Sequence, residues 1–269
     1  MVPSTIKGLR ICPNLNFLFQ EESSLLNRYA AAQKLGFKAV ETGNPYVNAV
    51  DELRRVKDDC GLEQVLINTP VGDASKGEVG FASLPGKEHQ FLHGLKTAVQ
   101  YATSLECKLI HIMAGLVMDP SLVDDHNKTY VNNLKKAAPI LEAAGIVGII
   151  EPINQHSVPG YYLSDYDKAV SVIKDVNSSH IGLLLDVFHL QQIKGDVTHS
   201  LNEYFPLVKH VQVAQVPDRH EPDTPGELNY DYVFNLLNKL NYSGWVGLEY
   251  KPASTTEQGL KWIERLGNH

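Results

Sequence analysis

The run Ala144-Gly145-Ile146-Val147-Gly148-Ile149-Ile150-Glu151 contains the pattern on which the fold turns. A helix commonly ends on a residue at positive φ, which glycine adopts without steric cost, before the chain enters a strand. The apolar residues that follow show no alternation, as expected where both faces of a parallel strand are covered. A carboxylate closes the run. The pattern recurs where Leu35-Gly36-Phe37 leads into Ala39-Val40-Glu41, Cys60-Gly61-Leu62 into Val65-Leu66-Ile67, and Ser243-Gly244-Trp245 into Val246-Gly247-Leu248-Glu249.

Working outward, short apolar runs predict eight strands near 9–12, 38–41, 64–68, 107–113, 146–151, 181–186, 208–214 and 245–249, with helical periodicity in the intervals. Residues 22–35 place Leu25, Leu26, Tyr29, Ala32 and Leu35 on one stripe, and Ser164 with Asp167 reads as a capping box opening a helix over 165–176. Eight strand–helix units in 269 residues is about 34 residues per unit. That spacing predicts an α/β fold, a single (β/α)8 TIM barrel over residues 1–269, with an open doubly wound sheet as the alternative. No Pro/Ser-rich linker or charge block divides the chain.

Composition narrows the function. The chain is 43% hydrophobic and 20% charged, enough to bury a core without staples. Lys plus Arg number 24 against 31 Asp plus Glu, a net charge of −7 that would repel a polyanion, so no nucleic-acid partner is expected. Cys12, Cys60 and Cys107 are too scattered for a disulfide framework and read as small apolar residues in a reducing compartment. The N-terminal apolar run is broken by Pro13, Asn14 and Asn16, and no window approaches the roughly 18 residues of a membrane span. A cytoplasmic enzyme without a membrane partner is the expectation, with homo-oligomerisation left open.

In a parallel barrel, function collects where the C-terminal ends of the strands meet the next loops. Four polar residues in the second half close apolar runs: Glu151, Asp186, Gln212 and Glu249, spaced 26 to 37 residues apart, about one strand–helix unit each. On the barrel reading they converge at one mouth. Three carboxylates gathered there would repel unless protonated or bridged by a cation. The oxygen-rich set favours Mg²⁺ or Mn²⁺ over Zn²⁺. The plainer reading is helix capping or pairing with a rim Lys or Arg.

Asp186-Val187-Phe188-His189 sets an imidazole three residues past a carboxylate, and the long polar loop after Gln212 carries Arg219-His220-Glu221-Pro222. Arg219 suits a carboxylate or oxyanion; a surface pair with Glu221 or Asp223 is the alternative. His189 reads equally as a ligand or a satisfied histidine at a helix start. His111 reads as a hydrogen-bonded core histidine or a site residue, and Asn14, Asn16, Asn68 and Glu78 as supports behind the site or turn residues. The loop from Gly72 to Gly86 lacks nucleotide-binding glycine spacings and is a candidate lid. His89, His93, His126 and His199 show no paired ligand spacing and are expected to be solvated.

These motifs resemble the hydroxypyruvate isomerase family, within the xylose-isomerase-like barrels that also hold the ketose 3-epimerases. The carrying segments are Asn68-Thr69-Pro70, Gly77-Glu78-Val79-Gly80, Leu84-Pro85-Gly86-Lys87-Glu88-His89, His111 through Gly115, Glu151-Pro152-Ile153-Asn154 and Leu185-Asp186-Val187-Phe188-His189. His210-Val211-Gln212-Val213-Ala214, Arg219-His220-Glu221-Pro222, Gly226-Glu227 and Gly247-Leu248-Glu249-Tyr250-Lys251-Pro252 complete them, so the match runs nearly end to end. The resemblance implies a metal-assisted interconversion of hydroxypyruvate and 2-hydroxy-3-oxopropanoate (tartronate semialdehyde). It implies Glu151 and Glu249 as an acid/base pair that also touches a divalent metal, with Asp186 and Gln212 as the other ligands. His189 and Arg219 match the family's substrate-binding residues, and Lys251 offers a second cation for a substrate carboxylate. The epimerase relatives place a histidine where this chain has Gln212, and an amide oxygen is a weaker donor than imidazole. The alternatives are a ketose 3-epimerase, a zinc-dependent DNA-repair endonuclease on the same scaffold, and a barrel that binds without turnover.

Overall fold

The computed structural model describes residues 2–267. A hairpin of β1 (Thr5–Ile6) and β2 (Leu9–Pro13) opens the chain. Helices and strands then alternate: α1 (Leu25–Leu35), β3 (Ala39–Thr42), α2 (Val50–Asp59), β4 (Glu63–Asn68), α3 (Glu88–Ser104), β5 (Leu109–His111), α4 (Val123–Ala143) and β6 (Val147–Ile150). After these come α5 (Tyr166–Val176), β7 (Ile181–Asp186), α6 (Val187–Ile193), α7 (Val197–Tyr204), β8 (Val208–Val213), α8 (Tyr230–Lys239), β9 (Trp245–Leu248), α9 (Thr256–Gly259) and α10 (Trp262–Gly267).

The sheet order is β1-β2-β9-β8-β7-β6-β5-β4-β3, and all pairings from β2 onward are parallel. The first long strand lies beside the last, so the sheet curls until β2 and β3 face one another. They meet at a parallel bridge between Asn14 and Glu41, where the Leu15 N–H donates to the Glu41 carbonyl at 2.8 Å. The chain is therefore an α/β protein built on a curled parallel sheet. Among the described residues no helix is long and apolar enough to cross a membrane.

Local chemistry explains most element ends. Gly36, Gly61 and Gly145 take the expected positive φ after their helices. The fourth repeat differs: α8 stops at Lys239, and the left-handed residue is Asn241, whose short side chain tolerates that region. Helix α1 begins at Leu25, later than the periodicity suggests, because Ser24 caps it by accepting the Asn27 N–H. Likewise α5 is capped by Asp165, which accepts the Lys168 N–H at 2.6 Å, so Ser164 lies one residue outside the cap. The run read as 107–113 pairs only over Leu109–His111, because Met113 and Ala114 turn to hold the 72–86 loop through backbone bonds to Ala82 and Ser83.

The pleat decides what faces the interior. Ile11, Val40, Ile150, Leu183, Leu185, Val211 and Val246 belong to the large core that also takes residues from the helices. Cys12, Ala39, Leu66, Ile149 and Leu184 form a separate apolar cluster, with Leu109 packed against it. Side chains two apart on a strand share a face. The next inward position on these strands is therefore Asn14, Glu41, Asn68, His111, Glu151 and Asp186, and Gln212 and Glu249 hold the same place on β8 and after β9. A dry layer carries a polar one.

Candidate active site

Three carboxyl groups of this polar layer lie around one arginine, two of them buried and the third, Glu249, partly buried. Asp186 is 0% and Glu151 5% exposed. Arg219 links Asp186 to the third: one guanidinium nitrogen lies 3.3 Å from Asp186 Oδ2 and 2.5 Å from Glu249 Oε2. The guanidinium sits between the rings of Phe17 and Phe188, 4.7 Å from each centroid. Arg219 therefore pairs inward, and the alternative partner Asp223 instead holds Arg265.

The loop that presents Arg219 is organised by buried Gln215. Its Nε2 donates to the carbonyls of Pro222, Thr224 and Leu228, and its Oε1 accepts the N–H groups of Val216 and Leu228. Arg219 itself takes φ 58°, in the left-handed region, with its N–H on the Gln215 carbonyl. Gln215→Leu would strand several buried backbone groups at about 1–3 kcal/mol each. It is expected to destabilise the fold by about 3 kcal/mol in urea melts and to raise KM more than it lowers kcat.

His189 lies against the same carboxyls. One oxygen each from Glu151 and Asp186 and one ring nitrogen of His189 fall within 4.8 Å of one another, a spacing that suits a cation. The hydrogen bonding assigns the imidazole another role. The Asn154 backbone N–H can only donate, and it reaches His189 Nδ1 at 3.2 Å. The neutral ring therefore carries its proton on Nε2, which faces Asp186 Oδ2 at 3.6 Å and Glu151 Oε1 at 3.8 Å. Burial, with Arg219 close by, holds His189 well below the usual imidazole range, so it stays neutral. His111 sits 3.6 Å from Glu151 Oε2, and burial pushes it down to about 3.

Other predicted residues are placed as follows. Gln212 is buried on β8 beside Asp186, its Nε2 donating to Glu41 Oε1 at 2.6 Å. Asn14 donates to both Glu249 Oε1 (2.9 Å) and Glu41 Oε1 (3.0 Å). Lys251 is exposed and joins the site through its backbone N–H, which donates to the Arg219 carbonyl at 2.7 Å. Glu78 accepts the Asp73 N–H within its own loop. His126, expected to be solvated, is 4% exposed, stacked on Tyr162 and 3.3 Å from Ser83 Oγ. Glu41 and His210, both fully buried, escape the sequence reading, although Glu41 closes an apolar run as Glu151 does.

A family model described as the xylose isomerase-like TIM barrel matches residues 29–266. A Danio rerio protein provisionally named hydroxypyruvate isomerase is 45% identical over 262 residues, covering 96% of this chain and 95% of its own. The Escherichia coli hydroxypyruvate isomerase is 38% identical over 256 residues, 95% of this chain and 98% of its own. The chain belongs to the hydroxypyruvate isomerase family. A Cupriavidus necator 2-oxo-tetronate isomerase is 40% identical over 255 residues, 95% of this chain and 97% of its own. A crystal structure from Brucella melitensis, named an AP endonuclease of family 2, superposes with a TM-score of 0.91 at 38% identity, covering 96% of this chain and 98% of its own. As a hydroxypyruvate isomerase family member, the chain is an enzyme of the isomerase class.

The donor set of this hydroxypyruvate isomerase family member suits a divalent cation. Glu151 Oε1 and Gln212 Oε1 are buried acceptors with no hydrogen-bond partner among the described residues. Such atoms cost about 1–3 kcal/mol unless something positive meets them. Burial, reinforced by Glu249 and Asp186, pushes Glu151 well above the ordinary carboxylate range; burial raises Glu249 to about 8 and Asp186 to about 6 against the opposing pull of Arg219. A carboxyl raised on folding stabilises the native state below its unfolded pKa near 4, and that contribution is lost as pH rises through the folded value. Chelated protein is therefore expected to lose melting temperature between pH 6 and about 8.5, and saturating Mn²⁺ to restore it. Thermal melts across that range in EDTA and in Mn²⁺ check this; a flat profile in EDTA contradicts it.

Proposed function

We propose that this chain interconverts hydroxypyruvate and 2-hydroxy-3-oxopropanoate, with Glu151 and Glu249 as the acid/base pair. Glu151, Asp186, Gln212 and Glu249 would hold a Mg²⁺ or Mn²⁺ ion in one complete (β/α)8 barrel closed at the Asn14–Glu41 seam. The single observation that carries the reading is the meeting of buried Glu151 and Asp186 with partly buried Glu249 at one end of the sheet, Arg219 linking Asp186 to Glu249. Carboxyls raised in this way can carry a proton near neutral pH, as a general acid must.

The reaction moves a carbonyl between adjacent carbons. The ionised glutamate takes a proton from the CH₂OH carbon, leaving an enediolate, and the protonated glutamate returns one to the former carbonyl carbon. The hydroxyl proton passes from one oxygen to the other, so atoms balance. A bound divalent cation would supply the charge that stabilises the developing oxyanion. Arg219, with Lys251 from the rim, would take the substrate carboxylate, and the His189 Nε2–H would donate to a substrate oxygen.

The Cupriavidus necator relative, as similar to this chain as the Escherichia coli one, favours 2-oxo-tetronate as a second substrate for the same proton shift. Nuclease chemistry, which the name of the Brucella structure suggests, finds less support: the net charge is −7, and the histidine at the carboxyl cluster presents a proton-bearing nitrogen. Purified protein is expected to turn over hydroxypyruvate, lose this on chelation and regain it with Mg²⁺ or Mn²⁺. Turnover of ketohexoses alone would make the chain an epimerase, and inactivity on all three substrate types would make it a binding protein.

A further inference from the structure

We propose that Glu41 is a positioning residue for the cation site, fixing the Gln212 amide with its nitrogen inward and its oxygen toward the cation. The inference deepens the proposed function and rests on it. Glu41 is fully buried at the inward end of β3, and no ion pair with Lys or Arg is found for it among the described residues. Instead, its Oε1 accepts from Gln212 Nε2 at 2.6 Å and Asn14 Nδ2 at 3.0 Å, and its Oε2 lies 2.6 Å from His210 Nε2. Cys12 Sγ approaches Oε2 at 3.9 Å.

A carboxylate offers acceptors only, so the end of the Gln212 amide that meets it must be the NH₂ end. The oxygen then faces away and is left buried with no partner. A free glutamine at this position could present either end, and a nitrogen would repel a cation. Asn14 is fixed by the same logic: its Oδ1 accepts the Asn16 N–H at 2.9 Å while its Nδ2 spans Glu41 and Glu249. Space for the arrangement comes from Gly247 on β9. A Cβ there would lie 2.6 Å from both Glu41 carboxylate oxygens and 2.8 Å from Gln212 Cγ. Hydrogen-bond partners behind metal ligands commonly tune affinity by 10- to 100-fold.

Mn²⁺ binding to purified protein, read by isothermal calorimetry, tests this with Glu41→Gln, Gln212→Ala, the double variant and Asp186→Asn. Glu41→Gln is expected to weaken Mn²⁺ binding by about 10- to 100-fold, because its amide can donate to Gln212 Oε1 and turn that group over. Gln212→Ala should weaken it comparably, and the double variant should lose less than the product of the two single losses. If Asp186→Asn binds as tightly as wild type, the cation reading falls and this inference with it. If Asp186→Asn weakens binding but Glu41→Gln does not, or if the two losses multiply, only the inference falls. Should Glu41→Gln not fold, the wild-type protein decides by NMR. Mg²⁺ should shift the Gln212 Cδ carbonyl resonance while its Nε2 protons stay slow to exchange, and an unmoved carbonyl overturns the proposal.

Discussion

Glu249→Gln is expected to lower kcat on hydroxypyruvate by about 10³-fold at saturating Mn²⁺, within the range that a positioned general acid or base supplies. Glutamine keeps the shape and the acceptor that Asn14 Nδ2 meets at 2.9 Å, but it cannot carry the proton and it sets an NH₂ against the Arg219 guanidinium in place of Oε2. The size of the stability change separates this from misfolding. Burial outweighs Arg219 and lifts Glu249 to about 8, so the ionised carboxylate opposes the folded state of the chelated protein at pH 8. The gain from removing that charge offsets the lost contact with Arg219, so chelated Glu249→Gln should melt close to wild type at that pH. A variant that kept its turnover would remove Glu249 from the acid/base pair, and one that melted far lower would make its role structural. Steady-state kinetics and thermal melts on the same preparation read both.

Arg219→Met should lower stability. Its guanidinium meets Asp186 and Glu249 together, so its loss leaves buried carboxylates without their cation, a change that costs about 3–5 kcal/mol where measured in other proteins. A loss near 3 kcal/mol is expected in EDTA at pH 8. It should shrink as pH falls toward 6, because carboxyls relieved of Arg219 protonate more readily. KM for hydroxypyruvate should rise about 100-fold through the lost charge-assisted contact. Arg219→Lys should restore little, since a point charge cannot span two carboxyls while lying between Phe17 and Phe188. Urea melts at two pH values with substrate saturation curves check these outcomes; unchanged KM in Arg219→Met would free Arg219 from any part in substrate binding.

The positions of the parallel strands were legible because strands covered on both faces are written as unbroken apolar runs, several of them entered through a glycine turn. The polar ends of β6 to β9 were legible for the same reason: a carboxylate that closes Gly-Ile-Ile or Leu-Leu-Leu would be costly to bury unless a partner or a cation waited at the strand end. What stayed hidden depends on pairings across the sheet. Glu41 closes Ala39-Val40 as plainly as Glu151 closes Ile149-Ile150, but its partners lie just after β2 and on β8, far away in sequence. His126 reads as a surface residue on a polar helix turn, and only the packing of Tyr162 and Ser83 buries it. The tautomer of His189 is set by the backbone of Asn154, which no residue spacing reveals.

The seam between β2 and β3 has a consequence for how the protein comes into being. Asn14 closes the backbone there, and its side chain ties Glu249, 235 positions later, to Glu41. The linkage needs residues from both ends of the chain, so it cannot be completed until Glu249 has been made. A working site thus depends on contacts of high sequence separation, the kind whose loop-closure entropy slows folding.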